Sequence, residues 1–446
     1  MNYSKSIACC LFGFLFFTTH TIAAEKEVRI VYEKGARIQE ITLDGIQSRL
    51  THTKAFILGD DAAFENCDSG SVGAVIAIGK PSLSKAIAAC KNTPIVFSLV
   101  SAPRLGEIKS HPNVTGISFD LSFRLFLTEL QKIMKSGSRI GFIYSSPENE
   151  FLATEIDYVE SEFNFTGVRL RTENRDELGA KVEQLIEKDK VSALWVLPDP
   201  LYNQAIFRKL AELCAEKGVL LVTNFEVLVS EAGAAIALAP SYFDTGVQTA
   251  EIVQKILAGT KPIDISYQRP HTSGVYLNLP LFERLKINLP NDLRYKEKVT
   301  TLLNEAQDLQ KAGQAQQALS KFREVLRYDK KNTTAHYFVN AIESHNNYNT
   351  ALQRINAGNK MGAIGLLIAS SPFLPEARAR LQSLRGELRG QVPGIFHRGV
   401  AQFQRKKYRD TINTMNLVLM IDPGHHEAQL YKEKAEKRAK AVSAIR

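Results

Sequence analysis

Five loops concentrate the residues that could do chemistry: Gly79-Lys80-Pro81-Ser82, Ser101-Ala102-Pro103, Ser145-Ser146-Pro147-Glu148, Pro198-Asp199-Pro200 and Asn224-Phe225-Glu226. Each follows a short apolar run and ends it in small polar residues, and most carry proline at or beside the start of the next helix-like segment. Proline at that place is pre-shaped for the first turn, and the free N–H groups of a helix start favour an anionic group such as a carboxylate. The chemistry this suits is capture of a small polar solute without bond making. Candidate ligand-binding residues are Lys80, Ser82, Ser101, Ser145, Glu148, Asp199, Asn224, Phe225 and Tyr242. Ser, Asp, Asn and Pro also serve as plain helix caps. One such loop therefore carries little weight, and five together point to a site.

Catalytic and metal patterns are missing from the sequence. There is no G-x-S-x-G, no H-E-x-x-H and no C-x-x-C, and Gly79-Lys80-Pro81-Ser82 lacks the upstream glycine of a phosphate loop. His425 and His426 are adjacent, so on a helix they point in different directions and cannot share a metal ion. The expectation is a protein that is not an enzyme and needs no metal or cofactor.

The elements that must position those loops read as an α/β pattern from residue 25 to about 290. Expected strands are Val28–Tyr32, Ala55–Leu58, Ala74–Ile78, Ile95–Val100, Arg139–Tyr144, Val168–Arg171, Ala193–Leu197, Leu220–Thr223 and Ala234–Leu238. Between them, apolar residues recur at helical spacing over 36–50, 81–91, 121–135, 148–163, 176–188, 200–217 and 241–258. The strands carry few charges at their centres, as parallel strands covered on both faces require. Trp195, the single tryptophan, falls mid-strand and reads as core. In open α/β sheets ligands sit outside the carboxyl ends of the strands, which is where the five loops lie.

The chain has 446 residues, 44% hydrophobic and 23% charged, which fits two or three ordinary globular domains and excludes a disordered or multi-span membrane protein. Its one long apolar run is N-terminal. Lys5, the stretch Ile7–Phe17 and the small residues Thr21–Ala24 read as a secretory leader, residues 1–24, cleaved near Ala24. Cys9 and Cys10 lie before or inside the apolar core rather than after it, so no lipid-attachment cysteine is expected. The mature chain is expected in the periplasm without a transmembrane segment. Its three cysteines, Cys67, Cys90 and Cys214, leave two readings open: one bridge between Cys67 and Cys90, or three packed thiols.

Charge divides the chain. Residues 25–293 carry 29 Lys and Arg against 34 Asp and Glu, whereas residues 294–446 carry 26 against 13. An acidic body thus precedes a basic tail, and in an exported protein the expected counterpart of the tail is not nucleic acid but anionic lipid, cell-wall polymer or an acidic protein.

Several body segments carry a family resemblance. Gly73–Val100 (GAVIAIGKPSLSKAIAACKNTPIVFSLV), Asn113–Gly116 (NVTG), Arg139–Tyr144 (RIGFIY), Thr249–Pro262 (TAEIVQKILAGTKP) and Val275–Asn278 (VYLN) resemble the ABC-transporter substrate-binding family typified by tryptophan and aromatic amino-acid binders. The resemblance covers residues 27–293 and implies a two-lobed type I periplasmic-binding-protein fold: parallel sheets and a hinge between lobes, in a body of residues 25–293. It implies a small-molecule ligand, amino-acid-like or another small polar solute, and an ABC importer permease as partner. The family's small polar residue before proline is Lys80 here, and its Thr-Asp pair is Ser101-Ala102. The family's Asn-rich loop is represented by Ser145, Ser146, Glu148 and Glu150. An acid that would meet a ligand's amino group is thus replaced, and a lysine able to attract an anion has appeared.

From residue 294 strand signals vanish. Ala306, Leu309, Gly313, Ala318, Phe322 and Leu326 before Asp329, then Ala351, Gly358, Ala363, Leu367 and Pro375, then Gly399, Phe403, Tyr408, Ile412, Met415 and Leu419 before Asp422-Pro423, resemble tetratricopeptide repeats. The windows lie further apart than the usual repeat length. Residues 294–446 are therefore expected to form an all-α TPR-like helical repeat domain whose groove binds a protein partner. Two functions follow as expectations: delivery of a solute to an importer, or an envelope adaptor or sensor in which the repeats engage a second protein.

Overall fold

The computed structural model describes residues 26–50, 52–101, 108 and 110–444. The expected leader, residues 1–24, lies outside the described residues. The chain forms two compact units, one from residues up to Phe119 together with Gly246–Gln268, the other from Asp120–Thr245 and Arg269 onward.

In the first unit the order is β1 (Glu27–Tyr32), α1 (Arg37–Gln47), β2 (Thr53–Ile57), β3 (Val72–Ile78), α2 (Lys80–Ala89), β4 (Ile95–Val100) and β5 (Val114–Ser118). The sheet is parallel with strand order β2-β1-β3-β4-β5. All seven residues of β3 and all six of β4 are buried, which is why both read as unbroken apolar runs rather than as alternation. Val75, Ala77, Ile95 and Phe97 form one core face with Leu83 and Ala86 of α2. Cys67 and Cys90 join that core as a disulfide, which decides between the two cysteine readings.

The second unit contributes α3 (Phe123–Leu130), β6 (Arg139–Tyr144), α4 (Pro147–Thr154), α5 (Glu160–Phe163), β7 (Thr166–Arg171), α6 (Leu178–Glu183), β8 (Ala193–Val196), α7 (Gln204–Glu216), β9 (Leu220–Thr223), α8 (Val227–Ala232) and β10 (Ile236–Pro240). Next come α9 (Tyr242–Leu257), of which residues from Gly246 on belong to the first unit, and then β11 (Ser273–Leu277) and α10 (Leu279–Arg284). Strand order is β11-β10-β9-β8-β6-β7. One sheet face packs Trp195 among Phe123, Phe126 and Phe142, with ring centroids 4.4, 3.9 and 5.8 Å away. The other face buries Val182, Leu185, Phe207, Leu210 and Cys214, whose thiol burial pushes up to about 12.

Two strands were absent from the sequence reading. β5 and β11 are five residues each with glycine inside, and β11 runs antiparallel to β10, so the second sheet is mixed rather than wholly parallel.

The remaining helices are α11 (Asn291–Lys311), α12 (Ala315–Tyr328), α13 (Thr333–Asn356), α14 (Lys360–Ser370), α15 (Pro375–Leu388), α16 (Val392–Gln404), α17 (Tyr408–Ile421) and α18 (His426–Ala444). Three tight turns, at Gly313, Gly358 and Lys406, join α11 to α12, α13 to α14 and α16 to α17, each with its residue in the left-handed region. Ala306, Ala318 and Phe322, then Ala351, Ala363 and Leu367, then Gly399 and Met415, are buried at the three helix pairs. The 24-residue α13 and the extra helix α15 account for the wide spacing of the three sequence windows.

The boundary expected at 293/294 falls inside α11. Leu293 of this helix is fully buried in the core of the second sheet. Further along, α11 lies against β11, where Thr300 Oγ1 accepts the Val275 N–H at 3.2 Å and Asn304 Nδ2 donates to the Tyr276 hydroxyl at 3.2 Å. Gly274 permits this approach, since a Cβ there would stand 3.0 Å from the Thr300 methyl. Lys132, in the turn just past α3, pairs with Asp292 at 2.6 Å and with the buried Glu129 of α3 at 2.8 Å, and Lys296 also pairs with Glu129. The first long helix of the tail is thus part of the second unit's core.

Candidate functional site

In the first unit β3 is followed by Gly79, which takes a positive φ of 83° and donates its N–H to the Ser98 carbonyl at 2.8 Å. A Cβ at Gly79 would come within 3.0 Å of the Gln39 side-chain amide, a flexible end that can yield, so it is the positive φ that calls for glycine here. Lys80 follows as the first residue of α2 and is exposed, while Ser82, 1% exposed, has a hydroxyl with no hydrogen-bond partner among the described residues. Ser101, half-buried, leaves β4 just after a bulge at Leu99, a non-glycine residue with φ 57° where pairing to β5 shifts register. Such a conformation costs of order 1–3 kcal/mol and persists only where surrounding structure enforces it. Gln39 was not legible as part of this edge; its Oε1 accepts the Glu33 N–H at 2.8 Å and orders the loop after β1.

In the second unit Ser145 and Asp199, 54 positions apart, meet because β6 and β8 are neighbours. Asp199 accepts the Ser145 N–H at 2.9 Å and its hydroxyl at 2.7 Å, the Asn149 amide at 2.7 Å and the Leu201 N–H at 3.0 Å. Burial alone would raise the Asp199 carboxyl; the donors of Leu201, Ser145 and Asn149 outweigh it and hold the group below its ordinary value. Asp199 is therefore an ionised organiser of two loops. Asn149, 5% exposed and the third residue of α4, was missed, although it directly follows Glu148; its amide also donates to the Pro198 carbonyl at 2.8 Å. Glu148 is the second residue of α4, and its side chain lies outside the described ones.

The next loop follows β9. Asn224 accepts the Trp195 indole N–H at 2.9 Å. Glu226, which the sequence reading placed in this loop but not among the candidate residues, accepts the hydroxyl of Tyr242 at 3.0 Å, which links this loop to the first turn of α9. Phe225 between them is half-buried. Ser145, Asp199, Asn224, Phe225 and Tyr242 thus gather at the carboxyl edge of β6, β8, β9 and β10, and Lys80, Ser82 and Ser101 at the carboxyl edge of β3 and β4. The described residues contain no group of three or more His, Cys, Asp or Glu side chains able to hold a metal ion. What both edges offer is hydroxyl, amide and charged groups on fixed backbone, suited to binding.

The family model for ABC transporter substrate binding proteins matches residues 68–300, more than half of the chain. The chain belongs to that family. No curated protein matches this substrate-binding protein in sequence. Among solved structures it is similar to the ligand-free, open form of a substrate binding protein with adhesive properties from Clostridium difficile. That likeness has 18% identity, covers 60% of this chain and 97% of the other, and has a TM-score of 0.50. It is also similar to an ABC domain in complex with L-Trp from Streptococcus pneumonia, at 18% identity over 61% and 98% of the two chains with a TM-score of 0.42. A conserved domain protein from Vibrio cholerae matches at 18% identity over the same 61% and 98%, with a TM-score of 0.43. At 18% identity the first of these likenesses bears on fold alone, the α/β fold with parallel strands that was expected, and in this chain a helical region follows it. Family membership supports a solute-binding role for this substrate-binding protein. No helix among the described residues is long and apolar enough to cross a membrane.

Proposed function

We propose that the protein is a periplasmic solute-binding protein whose leader is cleaved near Ala24. In this reading it captures a small polar solute, amino-acid-like or of similar chemistry, and delivers it to the permease of an ABC importer. The observation that carries this reading is the set of loops after β6, β8 and β9, where Ser145, Asn149 and Asp199 are locked together and Asn224, Glu226 and Tyr242 stand beside them. A preformed polar edge of this kind costs little to order on binding. Binding without chemical change, and without a cofactor, is part of the same reading. A thermal-shift screen of residues 25–446 against amino acids, nucleosides, sugars and short peptides tests it. A ligand at 100-fold its Kd should add about 2.7 kcal/mol of stability. A flat response to every class would count against delivery.

A second reading, an envelope adaptor or sensor whose TPR-like helices bind an acidic protein partner, is favoured by one observation. The helices are built into the second unit through Lys132, Glu129, Asp292 and Lys296 rather than tethered by a linker. Their excess of Lys and Arg is the feature that would select the partner. Pull-down from an envelope extract, compared with variants neutralising Arg405, Lys406 and Lys407, separates the two readings.

A further inference from the structure

We propose that the helical region positions the binding-site residue Tyr242, acting through Phe243 and Asp244, so that solute capture by the second unit depends on α13. This rests on Tyr242 belonging to the ligand site as set out above. Three consecutive residues at the start of α9 face three different partners. The Tyr242 hydroxyl donates to Glu226 at 3.0 Å, on the loop that carries Asn224 and Phe225. The buried Phe243 ring lies 5.1 Å from Tyr337 and 5.6 Å from Phe338, both on α13. Asp244 accepts from Ser241 at 2.7 Å, from Thr272 at 3.2 Å and, at 2.7 Å, from Thr333, the first residue of α13.

Successive residues on a helix are set about 100° apart, so the turn cannot rotate at Tyr242 without dragging Phe243 and Asp244 with it. The far side of this grip is rigid too. Phe338 is stacked on Phe322 of α12 at 4.8 Å with planes 7° apart, and both are buried. Hydrogen bonds to a carboxylate are among the stronger ones in proteins, and aromatic packing adds to them. Tyr242 is therefore held from behind by a part of the chain that lies far outside the family's matched segment of residues 68–300. Thr333, Tyr337 and Phe338 are positioning residues; Tyr242 is the one that meets the solute.

The single tryptophan gives the test its readout, because Trp195 is bonded to Asn224, two residues before Glu226. The experiment uses residues 25–446 with Thr333→Val, which removes the donor and keeps the shape, and Thr333→Ser, which restores it. Hydrogen exchange and Trp195 emission are read without ligand. The expected result is exchange roughly threefold faster over residues 225–234 in Thr333→Val, with a shift in Trp195 emission, unchanged exchange in β3, and recovery in Thr333→Ser. Exchange at 225–234 equal to the parent's, or acceleration spread equally over β3 and β6, overturns the proposal. Phe338→Leu repeats the test from the aromatic side if Thr333→Val folds poorly. Tyr242→Phe with single amino acids as thermal-shift probes addresses the site separately. A ligand response unchanged in Tyr242→Phe removes Tyr242 from the site, and an exchange response intact in Thr333→Val then shows that the linkage itself stands.

Discussion

Trp195 donates its indole N–H to the side-chain oxygen of Asn224 across 2.9 Å, and so ties the core of the second sheet to a loop of the candidate site. The ring is 2% exposed and lies against Phe123 and Phe126. Since it is the only tryptophan of the chain, its emission reports this loop without labelling. Asn224→Leu should leave a buried indole donor unpaired, costing about 1–3 kcal/mol. Urea unfolding followed at Trp195 should show the loss, together with a changed emission maximum in the folded state. An unchanged midpoint and an unchanged spectrum would mean the bond does not matter.

Asp199 offers a sharper case, because four donors converge on one carboxylate. Asp199→Asn keeps the shape but points an NH2 group at donors that need an acceptor. The expected loss is about 1–3 kcal/mol in urea unfolding, accompanied by a weakened thermal-shift response to any ligand found. If stability falls and ligand response does not, Asp199 organises the loops without shaping the site.

How far the sequence revealed this depends on distance along the chain. β3 and β4 were legible because burial on both faces makes them continuous apolar runs. β5 and β11 were not: each is five residues with a glycine, and β11 is stabilised by its pairing to β10 and by Thr300 of α11. The candidate loops were legible from their composition, yet their internal bonding was not. Nothing local to Ser145 announces that Asp199 will claim its hydroxyl, and nothing local to Tyr242 announces Glu226. The boundary at 293/294 followed a change in charge and in strand signal, whereas α11 follows the core of the second sheet.

That last point has a direct consequence for truncation. β11 is the edge of its sheet, and α11 supplies the acceptor for its Val275 N–H. Ending the chain at 293 removes that acceptor, uncovers the strand edge and breaks the Lys132–Asp292–Glu129–Lys296 cluster, and exposed edges invite association. A chain of residues 25–293 should elute as oligomers or aggregate in size-exclusion chromatography, while one ending after α12, at residue 330, should remain closer to monomeric. Equal monodispersity of the two would show that α11 is dispensable to the sheet.

The Cys67–Cys90 bridge closes a loop of 23 positions in the first unit's core. In the chain-entropy view such a loop contributes about 3 kcal/mol. Reduction should lower the melting temperature of the full chain, and the double variant Cys67→Ala, Cys90→Ala should show the same loss without reductant. Cys214, buried with its thiol pushed up to about 12, should resist alkylation until the chain unfolds.

Acid should loosen the protein through two carboxylates. Partial burial would raise the Asp68 carboxyl, but the N–H groups of Lys91, Asn92 and Thr93 outweigh it and bring the group down to about 2. Asp199 is lowered in the same sense. A group bound more weakly to protons in the folded state stabilises the fold above its unfolded pKa, near 3.9 for Asp, and that contribution disappears as pH falls through the folded value. For Asp68 the window is therefore between about pH 4 and pH 2. Asp68→Asn should be less stable than the parent at pH 6, and the gap should close as pH approaches 2. Urea midpoints measured across that range check it: a gap that stays constant with pH would show that Asp68 keeps its ordinary affinity for protons in the folded chain.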